Sequence, residues 1–373
     1  MQPETLPKLS VIIPVHNGGA HFARCLDALR ASNSTGHEVI VVDDGSTDDS
    51  VTLARSRGFE VIRLDARSGP AAARNRGARR ARAGVLLFVD ADVLVRADTL
   101  ARVEAFFKER EDVAALFGSY DDEPDARGFV SQYKNLAHHF IHQRSRADAE
   151  TFWAGCGAVR REAFESVSGF DETLYTRPSI EDIELGRRLR RRGFKITLDR
   201  ALQVKHLKRW TLASLLRADI RDRALPWSRL ILEEGSMPRD LNLRASDRAS
   251  AALACASLTL LACAAASLLF PSTFSSSVFS SSVATAPFMP ALLFAASVFM
   301  LLGVFLLNLP LLRFLRARRG DWFALASFWM LSLYYIYGAC AFSLCYCERA
   351  LKSARGLAPA ERRADTHGRV EDA

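Results

Sequence analysis

Gly84-Val85-Leu86-Leu87-Phe88-Val89-Asp90-Ala91-Asp92-Val93 sets an unbroken apolar run ahead of two carboxylates separated by one small residue. A run of Val, Leu and Phe with no polar interruption reads as a strand that fixes the backbone inside a sheet. The residues that follow leave its carboxyl end, where open α/β sheets bind their ligands. Two carboxylates there can hold a hard divalent cation that bridges to phosphates. Aspartate also crowds turns for purely structural reasons, so the reading of Asp90-Ala91-Asp92 depends on its neighbours.

Those neighbours are strand-helix units. Leu9–Pro14, Glu38–Val42, Phe59–Leu64 and Val85–Val89 read as strands; His21, Phe22, Cys25, Leu26 and Leu29 recur at helical spacing, a helix opens near Asp48, and another spans Pro70–Arg82. Alternation of this kind predicts an α/β fold with a Rossmann-like, mostly parallel sheet and flanking helices. The loops after Ile13, Val42 and Val89 then leave one sheet edge together. Ala97–Lys108 reads as a helix and Val113–Gly118 as a strand, with residues 119–150 a helical insertion facing an acceptor or the membrane. His138, His139 and His142 share that insertion, but no carboxylate or cysteine stands beside them at ligand spacing, which argues against a metal site there.

Of the 373 residues, those to about 248 are charged, whereas most of 249–347 is apolar. Three runs, 250–270, 288–312 and 323–347, approach or exceed the roughly 20 residues that cross a bilayer as helix. The first is rich in Ala and Ser, and a buried soluble hairpin is its alternative reading. The expected organisation is a catalytic domain over 1–205, amphipathic interfacial helices over 206–248, a transmembrane region over 249–347, and a basic, disordered tail over 348–373. Met1-Gln2-Pro3-Glu4 lacks the basic start and apolar core of a signal peptide, so the catalytic portion is expected in the cytoplasm of a multi-pass protein of the inner (plasma) membrane. The seven cysteines, all but Cys25 and Cys156 inside apolar runs, suggest packing rather than a disulfide framework. A net charge of +8 with arginine clusters at 187–192 and 313–319 suits an anionic leaflet; no nucleic-acid reader motif accompanies it.

Val11-Ile12-Ile13-Pro14-Val15-His16-Asn17, Val39 to Ser46, Gly69 to Asn75 and Phe88 to Asp92 together resemble, in order and spacing, the family 2 glycosyltransferases of GT-A-type fold. The likeness continues through Gly155-Cys156-Gly157, Gly169-Phe170-Asp171 and Ile180 to Leu185, covering residues 8–235. It implies a nucleotide-sugar donor, a divalent metal (Mg²⁺ or Mn²⁺), and transfer to a lipid-linked or other glycan acceptor.

By that resemblance Pro14, His16 and Asn17 line the base pocket and Asp44 bonds the base or ribose, while Asp43 either joins it or orients the turn. Arg74 reaches a phosphate or pairs with Asp44. Asp92 is the metal ligand and Asp90 its partner at ribose or metal. A further ligand that some relatives carry two residues on is Leu94 here; His206 is a candidate metal or phosphate contact, or a solvated surface histidine. Asp182 is implied as the base that takes the acceptor proton, hence inversion, with Glu181 on donor or acceptor hydroxyls, and both sit in a favourable helix N-terminus. Trp153 would stack on a ring face, and Gly155, Cys156 and Gly157 would let a sugar or acceptor approach the backbone; a plain strand turn with a packed Trp is the competing reading.

Trp210–Leu232 mixes leucines with Arg217, Arg221 and Arg223 and reads as an interfacial helix. Lys208-Arg209-Trp210 has His206 where processive synthases carry Gln, which favours single transfer. Pro271–Pro287 carries no charge, whereas Arg313, Arg316, Arg318 and Arg319 place the next connection with the catalytic domain. Three crossings would then put the basic tail on the far side, against the same rule. A nucleotidyltransferase would need a triphosphate loop rich in Gly and Lys, which His16-Asn17-Gly18-Gly19 is not. A non-catalytic membrane scaffold or a transport component is the remaining alternative, and transport is disfavoured by the near absence of intramembrane charge. The sequence leaves oligomeric state, sugar and acceptor open.

Overall fold

A computed structural model describes residues 6–32, 35–235, 243–270 and 288–355. The strands are β1 (Ser10–Val15), β2 (Glu38–Asp43), β3 (Glu60–Arg63), β4 (Val85–Val89), β5 (Val93–Leu94), β6 (Ala115–Tyr120), β7 (Cys156–Arg160) and β8 (Ile196–His206), in the order β3-β2-β1-β4-β7-β6-β8-β5. β3, β2, β1 and β4 run parallel, linked through helices α1 (Gly19–Ala31), α2 (Ser50–Ser56) and α3 (Pro70–Arg80). The unbroken apolar strands have a direct cause in the packing: Ile12, Ile40, Leu86 and Phe88 face one core, and Val11, Ile13, Val41, Leu87 and Val89 face another on the opposite side of the sheet.

Beyond β4 the sheet is mixed. β7 enters antiparallel between β4 and β6, and β5 pairs antiparallel with the end of β8. Strands β7 and β8 escaped the sequence reading because Cys156-Gly157-Ala158-Val159-Arg160 and the Asp199-Arg200 interruption within β8 offer no clean period. α4 (Thr99–Glu109), α5 (Phe129–Arg144), α6 (Arg161–Ser166) and α7 (Glu181–Arg191) complete the α/β part.

Residues 206–235 form α8 (Leu212–Arg217), a π-helical stretch Ala218–Ala224, and α9 (Leu225–Glu234), followed by α10 (Ala245–Leu269), α11 (Met289–Leu307), α12 (Leu309–Arg319) and α13 (Asp321–Ala354). Three of them, α10, α11 and α13, are long and apolar enough to cross a membrane. Their bounds correct the sequence reading. The second run does not continue to 312: Pro310 cannot donate to a helical carbonyl, and the chain breaks at Asn308, whose amide donates to Val304 O and Ser250 Oγ, both at 2.9 Å. The third run starts at Asp321 and extends to Ala354, so 348–354 is helix rather than disordered tail. Residues 236–242, 271–287 and 356–373, including the uncharged connection and most of the tail, lie outside the described residues. The stretch read as an interfacial helix buries Leu215, Leu230 and Ile231 against protein.

Candidate active site

The carboxyl ends of β1, β2 and β4 open into one cavity of about 600 Å³, lined among others by Pro14, His16, Asn17, Asp44, Arg74, Asp90, Asp92, Trp153, Glu181, Asp182 and His206. Residues scattered over nearly two hundred positions thus meet because parallel strands deliver their loops to one edge.

At its floor Arg74, one turn into α3, is buried and bridges two carboxylates: Nη2 donates to Asp90 Oδ1 at 2.7 Å and Nη1 to Glu181 Oε1 at 2.8 Å. It does not pair with Asp44, one of the two roles anticipated for it; both oxygens of Asp44 are instead occupied by the backbone N–H groups of Ser68 (2.6 Å) and Gly69 (2.9 Å). Asp44 therefore clamps the loop that starts α3, and Pro70 at the first helical position continues it. Gly69 holds φ +92° and ψ 165°, a region open essentially to glycine alone, and an added Cβ would lie 2.5 Å from the carbonyl oxygen of Thr176. Gly69→Ala is accordingly expected to cost at least about 1–3 kcal/mol and to loosen the Asp44 clamp, read as a lower unfolding midpoint in denaturant.

Asp43 is fully buried and absent from the cavity wall. Its Oδ1 accepts from Ser46 N at 3.1 Å, and its Oδ2 lies 3.4 Å from Arg63 Nε, so of its two readings the turn-orienting one describes it. His16 Nδ1 contacts Asp44 O at 2.9 Å, and Asn17, at φ +52°, accepts from Thr47 N at 2.8 Å, which ties the first loop to the second.

Asp182 lies beside the Arg74 bridge at the start of α7. Its Oδ2 accepts from Ala154 N at 3.1 Å and its Oδ1 from Ile183 N at 2.8 Å. Burial and the adjacent Glu181 charge nonetheless raise its pKa to about 6, outweighing those bonds and Arg74. A carboxylate near that value is matched to accepting a proton close to neutrality.

Asp92 Oδ2 and His206 Nε2 stand 3.7 Å apart, too far for a hydrogen bond, and they are brought together by the β5–β8 ladder that pairs Val93 with His206. Burial pushes the Asp92 carboxyl up, but His206 and Lys208 more than offset this and hold it below the usual range. His206 is buried and stacks on Tyr120 at 4.2 Å, so it is not a solvated surface histidine.

The Gly155-Cys156-Gly157 reading needs correction. An added Cβ at Gly155 would strike the Trp153 ring, and one at Gly157 would strike Trp153 O and the Phe152 ring, so both glycines make room for protein. Cys156 is fully buried in the core, burial pushes its thiol up to about 12, and none of the three lines the cavity; Trp153 does. On α5, His139 Nδ1 and His142 Nδ1 contact the backbone carbonyl oxygens of Tyr120 and Gly118, at 2.8 and 3.1 Å. Burial keeps His138 well below its ordinary pKa, and no group of three metal-binding side chains occurs among the described residues.

Several cavity residues were not anticipated: Tyr120, Lys134, Asp219, Arg223, Trp227, and Tyr334, Tyr337 and Gly338 from α13. Asp219 is buried between Lys134 Nζ (2.7 Å) and Tyr337 Oη (2.7 Å) and, with Arg223, lies on the π-helical stretch, a distortion common at functional sites. Only that π-register carried a signal, and sequence periodicity does not reveal it.

Residues 10–168 match the family model described as glycosyl transferase family 2. An uncharacterized glycosyltransferase, YibD, of Escherichia coli K12 is 43% identical over 89 residues, 23% of this chain and 26% of that protein. A PGL/p-HBAD biosynthesis glycosyltransferase of Mycobacterium bovis is 38% identical over 118 residues, 30% of this chain and 46% of its own length. The chain thus spans less than half of either relative. An O-antigen chain rhamnosyltransferase, RfbN, of Salmonella typhimurium is 26% identical over 216 residues, 55% and 68% of the two chains. Among solved structures, the mannosyltransferase PcManGT from Pyrobaculum calidifontis, in complex with GDP-Man and Mn²⁺, superposes with a TM-score of 0.48 at 18% identity, covering 91% of this chain and 88% of that one. With its motifs assembled on one sheet edge and residues 10–168 matched to that model, the chain is similar over that stretch to the family 2 glycosyltransferases.

Proposed function

We propose that the cavity transfers a sugar, with inversion, from a nucleoside-diphosphate donor of UDP or GDP type to a lipid-linked or membrane-proximal acceptor in cell-envelope glycan or glycolipid synthesis. One observation carries the reading: Asp44, Asp92 and Asp182 share a single cavity with Tyr334 and Tyr337 of the apolar helix α13. A donor site at the sheet edge and an acceptor entrance at the apolar helices are thereby continuous.

In this reading the base and ribose lie along Pro14, His16, Asn17 and Asp44. Asp92, with His206 3.7 Å away, would hold a divalent ion of the kind that needs only one or two protein ligands. Asp90 has one oxygen on Arg74 and so offers at most the other. Bound there, Mg²⁺ or Mn²⁺ would offset charge on the leaving diphosphate. Asp182 takes the acceptor hydroxyl proton as that oxygen attacks the anomeric carbon from the face opposite the departing diphosphate. Arg74 holds Glu181 and Asp90 as fixed anions around the reaction, Glu181 presents its remaining acceptor capacity to sugar hydroxyls, and Trp153 offers a ring face. His206 in the place of Gln supports one transfer per encounter.

The test is a melting-temperature screen of the full chain with nucleoside diphosphates and Mg²⁺ or Mn²⁺. One base should stabilise the protein only when metal is present, and Asp92→Asn should abolish that increment and lower transfer by at least about 100-fold. Full activity and an unchanged shift in Asp92→Asn would overturn the metal assignment.

A further inference from the structure

The third long apolar helix meets the rest of the chain at places a bilayer crossing would not. α10 and α11 form an antiparallel hairpin, tied at mid-height where the hydroxyls of Ser257 and Ser297 lie 2.9 Å apart and at the foot by the Asn308 amide on Ser250 Oγ. A further crossing helix would set its middle against the middle of that hairpin. α13 sets its middle against the foot instead: Tyr335 Oη donates to Asn308 Oδ1 at 2.8 Å and approaches Asp247 Oδ1 at 3.2 Å.

From there both arms of α13 run along the catalytic side. Towards its start, Phe323 packs on Phe129 at the beginning of α5, with ring centres 5.1 Å apart. Towards its end, Tyr337 bonds Asp219, Cys345 Sγ contacts Leu225 O at 3.7 Å, and Glu348 meets Arg229 at 3.4 Å. Residues 323 to 348 extend about 38 Å at helical rise, longer than the roughly 30 Å hydrocarbon core, yet both ends and the centre touch the same side of the molecule.

The opposite face of α13 is an exposed apolar stripe: Trp322, Leu325, Trp329, Leu333, Leu344 and Leu351. It is the least apolar of the three long helices, with mean hydropathy 1.4 against 2.1 and 2.5. Basic residues flank it, Arg313 to Arg319 before and Arg349, Lys352 and Arg355 after. We propose that α13 lies in the plane of an anionic lipid surface, stripe inward, so that only α10 and α11 cross and residue 355 stays on the catalytic side. Both basic clusters then face the same leaflet, which removes the conflict that three crossings create with the positive-inside rule. Tyr334, Tyr337 and Gly338 sit at headgroup level, and an acceptor enters the cavity sideways from the leaflet. The inference rests on the reading that these helices are seated in a bilayer.

The experiment uses the full chain in sealed vesicles of phosphatidylethanolamine and phosphatidylglycerol. The cysteines of α10 and α13 are replaced, and single spin labels are placed at Leu325, Leu333 and Leu344 of α13 and at Leu261 and Val298 of the hairpin. The α13 labels should share one shallow depth, about 5–10 Å into the headgroup and acyl boundary, with the hairpin labels deeper. A label at Leu333 near the bilayer centre, with Leu325 and Leu344 shallow in opposite leaflets, would overturn the proposal. Hairpin labels without lipid contact would sink the membrane reading as well. Independently, Arg355→Cys and the exposed Lys108→Cys should be reached by an impermeant maleimide in the same vesicle population; protection of one where the other reacts would equally overturn it.

Discussion

Asp182→Asn is expected to lower kcat by about 10²–10⁴-fold while nucleoside-diphosphate binding stays within a few fold, because the side chain keeps its size and loses only the capacity to accept a proton. The pH dependence separates this role from a structural one. The base acts in its ionised form, and its pKa is raised, to about 6. Turnover should therefore be full well above pH 6 and be lost as pH falls through it, tenfold per unit once the carboxyl is protonated. Glu181 is the neighbouring charge that helps hold Asp182 up. Glu181→Gln should accordingly move the acid limb to lower pH, whereas a limb that stays in place would assign the titration to another group. Transfer that is undiminished in Asp182→Asn would refute the assignment outright.

How much of this was legible in the chain follows from which signals are local. Buried parallel strands write themselves as uninterrupted apolar runs, so β1, β2 and β4 were readable, as was the shared edge that gathers Asp44, Asp90 and Asp92. Partner identity was not. Arg74 had several carboxylates within plausible reach, and whether it takes Asp44 or the Asp90–Glu181 pair depends on how α3 lies across the sheet. The glycines around Cys156 illustrate a different loss: small size was readable, but whether the vacated space belongs to a ligand or to Trp153 is decided by long-range packing. For α13 the apolar run was readable and its orientation was not, because hydropathy reports what a helix can enter and says nothing of which residues its ends touch.

Removing the Arg74 guanidinium is the second large effect. Asp90 and Glu181 converge on it from β4 and α7, and Glu181 and Arg74 are almost wholly buried. Arg74→Met would leave the two carboxylates facing each other and Asp182 with no cation between them. Deleting one member of a buried ionic set costs about 3–5 kcal/mol, because the desolvation of the remaining charges is no longer offset. Arg74→Lys keeps the charge but presents one ammonium where two branches of a planar fork now serve two acceptors, so it should retain part of the stability and little of the activity. The sign of the pH response follows. In Arg74→Met the Asp182 carboxyl loses the cation that lowers it and is raised further in the folded state, so the penalty is largest at neutral and higher pH and shrinks as pH falls and it protonates. Denaturant unfolding of the full chain in detergent at pH 7.5 and pH 5 measures this, and an Arg74→Met deficit that grows on acidification would contradict the bridge. Adding Glu181→Gln to Arg74→Met should recover much of the stability without recovering transfer. Arg74 thus serves two ends through the same contacts: it orients Asp90 beside the proposed diphosphate site and fixes the end of α7 that carries Asp182.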